Sequence, residues 1–254
     1  MQCISWSKVA SLRPIQQLNR ICTQLEASRQ AHTRRGAGSL RFLIMGCPGS
    51  GKGTQTSRII KQFPVTTTSA GDLLRDHITR GTDVGKVAAK YIDQGNLVPD
   101  ELIINLVLEE LNASLLGKNW ILDGFPRTLG QAKSLDAKLN EMKQPLDLVI
   151  NLDVPEEVIL GRIMDRWIHA PSGRVYNLSY NPPKVAGKDD ITGEPLSKRA
   201  DDNVETFKTR LDKYHSATRP LLEYYKTQGI LKSFSGKTSD EIFPKIQSEL
   251  KTWF

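Results

Sequence analysis

Largely apolar runs and amphipathic segments alternate along the chain from residue 40 onward. The apolar runs have the length of buried strands and occupy residues 42–45, 120–122, 148–152 and 230–234. Helical patterns or helix-start signals follow them at 55–62, 72–79, 84–93, 100–111, about 155–166 and from about 239. Alternating strands and helices favour a parallel sheet, so we predict a three-layer α/β/α fold with helices on both faces of one central sheet.

The stretch from Ile168 to Asp202 departs from this alternation. It contains four prolines, three glycines and only short strand-like pieces around Arg174–Leu178. So long a stretch without a helical pattern is uncommon inside a compact α/β domain. We therefore predict an inserted subdomain or lid, with bounds of about 166–202.

Residues 1–39 differ from the rest of the chain in charge. Six Lys or Arg residues against one acid give this segment +5 of the chain's formal +7. It is also rich in serine, with apolar residues at near-helical spacing, so it resembles a mitochondrial transit peptide; a solvated extension without that role is the alternative. We predict a basic presequence over 1–39, a domain over 40–254 and a location in the mitochondrial matrix.

The composition of the domain itself excludes several classes. Its remaining charge of +2 gives no reason to expect a nucleic-acid partner. No run of 18 apolar residues occurs, so no membrane-spanning helix is expected. Cys47 is the one cysteine of the domain, which excludes a disulfide framework or a cysteine zinc site there and fits a reducing compartment. We expect a monomer.

The segment Gly46–Thr54 has the spacing of a phosphate-binding loop. Gly46, Gly51 and Lys52 match the pattern G-x-x-x-x-G-K between a predicted strand and a predicted helix. Such a loop turns backbone N–H groups toward an anion, and the lysine reaches the β- and γ-phosphates. Gly53 stands where Ser or Thr usually offers a hydroxyl to Mg²⁺, and Thr54 offers one a residue later. The pattern predicts a nucleoside triphosphate site; a glycine-rich turn without a ligand is the alternative.

Asp123 ends a predicted strand and could hold Mg²⁺ directly or through water. A hydrolytic enzyme often has a second acid beside this position, but here Gly124 follows and then Phe125-Pro126-Arg127. Six arginines lie beside breaks in the pattern or at the lid boundaries: Arg75, Arg127, Arg162, Arg166, Arg199 and Arg210. Each alone could be a solvated surface residue. Together with Lys52 and Mg²⁺ they suit phosphoryl transfer, which needs charge neutralised on both donor and acceptor.

Several motifs resemble those of adenylate kinases in order and spacing. They are Gly46–Thr54, Ala70–Arg75, Gly95–Asp100, Asp123–Thr128 with Gln131, and the lid segments Arg166–Asn177, Asn181–Pro183 and Asp189–Leu196. The resemblance covers residues 40–254 and is greatest to the long-lid mitochondrial members, which include GTP:AMP phosphotransferases. It implies an AMP-binding helical subdomain at about 69–98 and a small β-rich lid.

The resemblance also implies a role for individual residues. Donor-nucleotide contacts are expected from Gly49, Ser50, Gly51, Lys52, Gly53, Thr54, Arg162, Arg166, Val175, Tyr176 and Thr238. AMP contacts are expected from Ala70, Arg75, Asn96, Leu97, Val98, Gly124, Phe125, Pro126, Arg127, Gln131, Arg199 and Arg210. The catalytic group is expected to be Lys52, Arg127, Arg166, Arg199 and Arg210, with Mg²⁺ as cofactor, held through water by Asp123.

Two parts of the sequence depart from patterns found in the family. Ala70 replaces a hydroxyl residue that many members have in the AMP site, which leaves that contact to the backbone. His169, Ser172, Asp189 and Thr192 stand where some members have four zinc-binding cysteines. Since zinc prefers Cys and His ligands, we predict a hydrogen-bonded polar cluster there and no zinc.

These observations and the resemblance predict a mitochondrial kinase that transfers the γ-phosphoryl group of a Mg-bound triphosphate, foremost GTP and also ITP, reversibly to AMP, with ATP as the alternative donor. The first alternative is a phosphate-loop NTPase that hydrolyses nucleotide without AMP. The second is a catalytically silent nucleotide-binding regulator. The presence of Lys52, Asp123 and Arg127 argues against the silent regulator, and Gly124 after Asp123 argues against the hydrolase.

Overall fold

The computed structural model describes residues 38–115, 117–198 and 203–254. Nearly all of the predicted presequence, and Arg199, lie outside the described residues. In chain order the first half comprises β1 (Arg41–Gly46), α1 (Lys52–Gln62), β2 (Thr66–Ser69), α2 (Ala70–Thr79), α3 (Asp83–Ile92), α4 (Asp100–Glu110) and β3 (Trp120–Asp123). The second half comprises α5 (Leu129–Glu141), β4 (Leu148–Asp153), α6 (Glu156–Met164), β5 (Arg166–His169), β6 (Arg174–Asn177), α7 (Val204–Lys213), α8 (Pro220–Thr227), β7 (Leu231–Ser235) and α9 (Ser239–Leu250). Single π-helical turns follow α4 at Leu111–Leu115 and α7 at Tyr214–Thr218.

Five strands form one parallel sheet in the order β2-β3-β1-β4-β7. The central strand β1 explains why its sequence is continuously apolar. Leu43 and Met45 join one hydrophobic cluster and Phe42 and Ile44 join another. Because successive side chains of a strand point to opposite faces, both faces of the sheet are covered, and the predicted α/β fold is confirmed.

Two antiparallel strands, β5 and β6, pair from Arg166 with Asn177 to His169 with Arg174. None of the described residues from the end of β6 to Lys198 is helical, as the Pro- and Gly-rich pattern predicts. The prediction was wrong at the end of α6, which stops at Met164 rather than continuing to Arg166. The chain leaves the helix at Asp165 to enter the β5–β6 pairing, so Arg162 and Arg166 do not share a helix face.

Helices α2 and α3 follow β2 and pack closely against each other. Their contact depends on Gly85, since a Cβ atom there would lie 2.1 Å from the carbonyl oxygen of His77. This approach is possible only without a side chain at residue 85. Across the described part of the chain, no helix is long and apolar enough to cross a membrane.

Candidate active site

A cavity of about 390 Å³ opens at the carboxyl ends of β1, β2 and β3. Ligands of open parallel sheets bind at this edge. Among the described residues that the sequence predicts for the site, Ser50 alone is absent from the cavity wall. The wall includes Gly49, Gly51, Lys52, Gly53, Thr54, Ala70, Arg75, Asn96, Leu97, Val98, Asp123, Gly124, Phe125, Pro126, Arg127, Gln131, Arg162, Arg166, Val175, Tyr176, Arg210 and Thr238.

The loop before α1 takes a conformation that depends on glycine. Gly49 and Gly51 have φ angles of 82° and 92°, a left-handed region that other residues rarely adopt. Gly51 directly precedes α1, and the first turn of this helix contains no acidic residue. The unpaired N–H groups and the partial positive charge of the helix start are therefore available to an anion in the cavity.

Lys52 folds back onto this loop. Its Nζ donates hydrogen bonds to the carbonyl oxygens of Gly46 (2.7 Å) and Cys47 (2.9 Å). Burial lowers the pKa of the Lys52 ammonium to about 8; Asp123 opposes this change, while Arg127 and Arg166 add to it. A bound phosphate would relieve the repulsion between these cations and raise the pKa again.

Cys47, in the same loop, is buried. Burial raises the pKa of its thiol to about 11, against a smaller opposing effect of Lys52. Since the thiolate is the reactive form, this cysteine is a poor nucleophile at neutral pH.

Arg127 and Arg75 form a second cationic group in the cavity. Arg127 Nε donates to the carbonyl oxygen of Gly124 (2.8 Å), and Arg75 Nη2 donates to Asp72 Oδ1 (2.7 Å). Desolvation by the surrounding protein lowers the pKa of Arg127; Asp123 raises it, and Arg75 lowers it further. Asp123 therefore acts electrostatically on both Lys52 and Arg127, and all three residues line the same cavity.

Arg162 lies beside the phosphate loop and contacts the turn before α9. Its Nη2 donates to the carbonyl oxygen of Lys237 (2.5 Å), and its guanidinium carbon lies 5.3 Å from the ring centroid of Tyr180. Gln55 and Arg58 of α1 donate to the carbonyl oxygen of Ser239 (3.0 and 3.2 Å). These contacts fix the turn that contains Thr238 at the edge of the cavity.

A polar cluster joins β5 and β6, the two strands of the predicted lid, to the segment that follows them. Asp189 accepts hydrogen bonds from Arg174 Nη2 (2.6 Å), Tyr176 Oη (2.8 Å) and Thr192 Oγ1 (3.0 Å). His169 contacts Ser172 (Nδ1 to Oγ, 2.6 Å) on one side and Glu194 (Nε2 to Oε2, 2.5 Å) on the other.

The electrostatics of this cluster follow from the same contacts. The Arg174 guanidinium holds the pKa of Asp189 well below its ordinary range, although burial acts in the opposite direction. The hydroxyl of Tyr176 is held by Asp189, so this end of Tyr176 is anchored within the lid. In the part of the chain that the structure describes, no three His, Cys, Asp or Glu side chains are grouped so as to hold a metal ion.

Several cavity residues were not predicted from the sequence. Examples are Arg58, Asp72, Tyr180, Lys213 and Tyr214. Lys213 and Tyr214 lie where α7 meets its π-helical turn, and no helix was predicted there. A weak signal was available in Asn203, which caps α7 by accepting a hydrogen bond from the Thr206 N–H (2.8 Å).

The oxygen ligands in the cavity fit Mg²⁺ brought in by a nucleotide. Asp123 supplies a carboxylate at the end of β3, and Thr54 supplies a hydroxyl at the start of α1. Mg²⁺ in phosphate sites keeps several waters and uses one or two carboxylates together with the phosphates. A Cβ atom at Gly53 would meet nothing within 4 Å, so no steric reason requires glycine there.

Comparison with known proteins agrees with this geometry. The family model described as adenylate kinase matches residues 44–230. The "GTP:AMP phosphotransferase, mitochondrial" of Saccharomyces cerevisiae is 53% identical over 221 residues, which cover 85% of this chain and 94% of that protein. An adenylate kinase of Thermodesulfovibrio yellowstonii is 46% identical over 208 residues, covering 82% of this chain and 97% of that protein.

An adenylate kinase of Vanderwaltozyma polyspora is 46% identical over 193 residues, covering 76% of this chain and 86% of that protein. The family match extends from β1 to the residue before β7 and so includes the phosphate loop, the Asp123–Arg127 segment and the lid strands. The chain therefore belongs to the adenylate kinase family and is a phosphotransferase.

Proposed function

We propose that this chain transfers the γ-phosphoryl group of a Mg-bound nucleoside triphosphate reversibly to AMP, with GTP as the preferred donor and ITP as a further donor. The observation that carries this proposal is the pair of cationic groups, Lys52 and Arg127 with Arg75, on either side of Asp123 in one cavity. Two such cationic groups suit two phosphate chains brought end to end, whereas hydrolysis of one triphosphate needs only one cationic group.

The donor triphosphate binds the loop 49–54, with its transferring group near Lys52 and Arg166. Backbone N–H groups of the loop and the start of α1 hold the phosphates. Lys52 gives up its hydrogen bonds to the carbonyl oxygens of Gly46 and Cys47 and donates to phosphate oxygens instead. Arg162 lies beside the donor base, between the phosphate loop and the turn at Thr238. Val175 and Tyr176 of β6 approach the same base.

AMP binds at the opposite end of the cavity. Arg75 and Arg127 hold its phosphate, and Arg210, together with Arg199, neutralises charge at the point of transfer. Gln131 and the backbone at 96–98 contact adenine, with Ala70 beside them. The acceptor phosphate is already ionised near neutral pH, so transfer needs positioning and charge neutralisation rather than a general base.

Mg²⁺, held through water by Asp123, would neutralise the phosphate oxygens as charge develops on them. The protein's own contribution is to align the two phosphates and to exclude water when the lid closes. Exclusion of water favours transfer to AMP over hydrolysis.

The donor preference and the location rest on separate arguments. A relative at 53% identity has the name GTP:AMP phosphotransferase, mitochondrial, and others have the name adenylate kinase, so ATP is the alternative donor. That name and the basic composition of residues 1–39 support import into mitochondria, and we place the enzyme in the matrix. We further expect the full chain to act as a monomer.

The test is a coupled assay of AMP phosphorylation by the full chain with GTP, ITP or ATP as the donor. We expect GTP and ITP to give a higher kcat/KM than ATP. Transfer from ATP alone would contradict the donor preference but would still agree with phosphoryl transfer to AMP. Release of inorganic phosphate without AMP, at the rate found with AMP, would contradict the reaction itself.

A further inference from the structure

Asp100, the first residue of α4, makes contacts that the proposed reaction has not used. Its Oδ1 accepts a hydrogen bond from Gln131 Nε2 (2.7 Å), and its Oδ2 accepts one from Thr128 Oγ1 (2.8 Å). Gln131 lies in the first turn of α5, and Thr128 caps that helix by accepting from the Gln131 N–H (3.1 Å). The carboxylate therefore ties the start of α4 to the start of α5.

These contacts fix the orientation of the Gln131 amide, which is only 2% exposed. While Nε2 donates to Asp100, Oε1 accepts from the backbone N–H of Arg127 (2.6 Å). A flipped amide would place its carbonyl oxygen against the carboxylate and its NH₂ group against the N–H. Both contacts would be repulsive, so one orientation alone is allowed.

The fixed amide still has one N–H and one acceptor position that these two contacts do not use, and Gln131 lines the cavity. An amide in this orientation matches the edge of adenine, which offers an N6–H donor beside the N1 acceptor. Hypoxanthine and guanine offer an O6 acceptor and an N1–H donor instead, and they would need the flipped amide.

We propose that Asp100 is a positioning residue that gives the acceptor site its preference for AMP over IMP by locking the amide of Gln131. This inference rests on the proposed function, in which Gln131 contacts the acceptor base. Asp100 itself contacts no substrate in this account and acts only through Gln131.

The neighbouring Gly130 supports a site built around this carboxylate. A Cβ atom at residue 130 would lie 3.0 Å from Asp100 Oδ2 and 3.7 Å from Thr128 Oγ1. Glycine in a helix is less favourable than alanine, so its presence in the first turn of α5 needs a reason. The close approach of Asp100 is such a reason.

The experiment measures kcat/KM for AMP and for IMP, with GTP as donor, in the full chain. Asp100→Ala should raise the KM for AMP and lower the AMP-to-IMP ratio of kcat/KM, each by about tenfold, as expected for the loss of one hydrogen-bonded constraint. Asp100→Asn should restore the ratio, because its Oδ1 can accept from Gln131 while its Nδ2 donates to Thr128. The KM for GTP should change by less than about twofold.

Glu101→Ala is the matched control. It removes a carboxylate from the same first turn of α4, but Glu101 is exposed. This variant should keep the wild-type AMP-to-IMP ratio, which separates the hydrogen bonds of Asp100 from a general effect of charge at the helix start.

A lower melting temperature for Asp100→Ala with an unchanged AMP-to-IMP ratio would overturn the inference and leave Asp100 a merely structural role. A wild-type enzyme that uses IMP as well as AMP would instead overturn the proposed acceptor site. If Asp100→Ala does not fold, Asp100→Ser gives the decision, because its shorter side chain keeps a polar group at the start of α4 but cannot hold both Gln131 and Thr128. A reduced ratio in that variant supports the inference, and a wild-type ratio contradicts it.

Discussion

The ionisation of Lys52 gives a direct test of its contact with the donor phosphates. Burial lowers the pKa of its ammonium from 10.5 to about 8 in the absence of nucleotide. A lowered pKa means that lysine loses its charge at a lower pH than usual. Lys52 of the free enzyme is therefore a cation below about pH 8 and becomes neutral above it.

The size of the effect follows from this value. The protonated fraction of Lys52 falls about tenfold with each pH unit above 8, to about one-tenth at pH 9 and about one-hundredth at pH 10. The pH dependence of kcat/KM reports groups of the free enzyme. With AMP well below its KM, so that most of the enzyme is free, we expect kcat/KM for the donor to be level below about pH 7, to fall to about half by pH 8 and to fall about 100-fold by pH 10.

Lys52→Arg is the matched control for this profile. Its guanidinium stays charged throughout the range, so its kcat/KM should be lower than that of the wild type but should show no fall from loss of charge at residue 52. Guanine itself loses a proton in alkaline solution, and this effect appears equally in both profiles. The ratio of the two profiles isolates Lys52, and a ratio that stays constant from pH 7 to 10 would refute the assignment.

Three further variants and one chemical treatment test other parts of the protein. Arg127→Ala should lower kcat/KM for AMP through the loss of about 2–4 kcal/mol of transition-state stabilisation, and it should leave the KM for the donor within about threefold. If the KM for AMP is unchanged in this variant, Arg127 does not belong to the acceptor site. Gly85→Ala should lower the free energy of unfolding by about 1–3 kcal/mol, because its Cβ would lie 2.1 Å from the His77 carbonyl oxygen. Gly161→Ala lies in a helix with nothing within 4 Å of the new Cβ, so it should raise the free energy of unfolding by up to about 1 kcal/mol. Chemical denaturation of both variants measures whether Gly85→Ala destabilises the protein and Gly161→Ala stabilises it. Alkylation of the folded chain should leave Cys47 unmodified at neutral pH, with the same chain unfolded in denaturant as the reference. Rapid labelling of Cys47 in the folded chain, identified by peptide mapping, would contradict its buried, protonated state.

Sequence pattern predicted β1, β3 and β4 from continuous apolar runs and β7 from a mixed run, but it missed β2. β1, β3 and β4 are buried on both faces, so their residues are almost all apolar. β2 has the sequence Thr-Thr-Thr-Ser, with two of its residues exposed, and nothing in its polarity marks a strand. Its place in the sheet depends on pairing with β3, which is a tertiary contact and not a local pattern.

Helix α5 shows a local signal that was present and not used. Thr128 is an N-cap residue, and Ala132, Leu135 and Leu139 are buried at helical spacing. By contrast, α7 has mainly polar residues, with only Thr206 and Phe207 buried, so no apolar stripe announces it. Arg166 was placed at the end of the helix predicted over about 155–166, but pairing between β5 and β6 overrides that prediction.

In the site, the residues that follow strand ends could be predicted because parallel strands bring their carboxyl ends to one edge. Asp123 and the phosphate loop are examples. The contact of Asp100 with Gln131 joins positions 31 apart, and no spacing rule predicts it. The roles given to Arg166 and Arg210 in transfer stay predictions, as does that of Arg199.

The central claim is that the cavity joins two nucleotides and transfers phosphate between them. Its most direct test is the product ratio formed by the full chain from Mg-GTP with and without AMP, followed by phosphorus NMR. We expect one ADP for each GDP when AMP is present, and almost no GDP or inorganic phosphate when AMP is absent. Steady release of GDP and inorganic phosphate without AMP would contradict it.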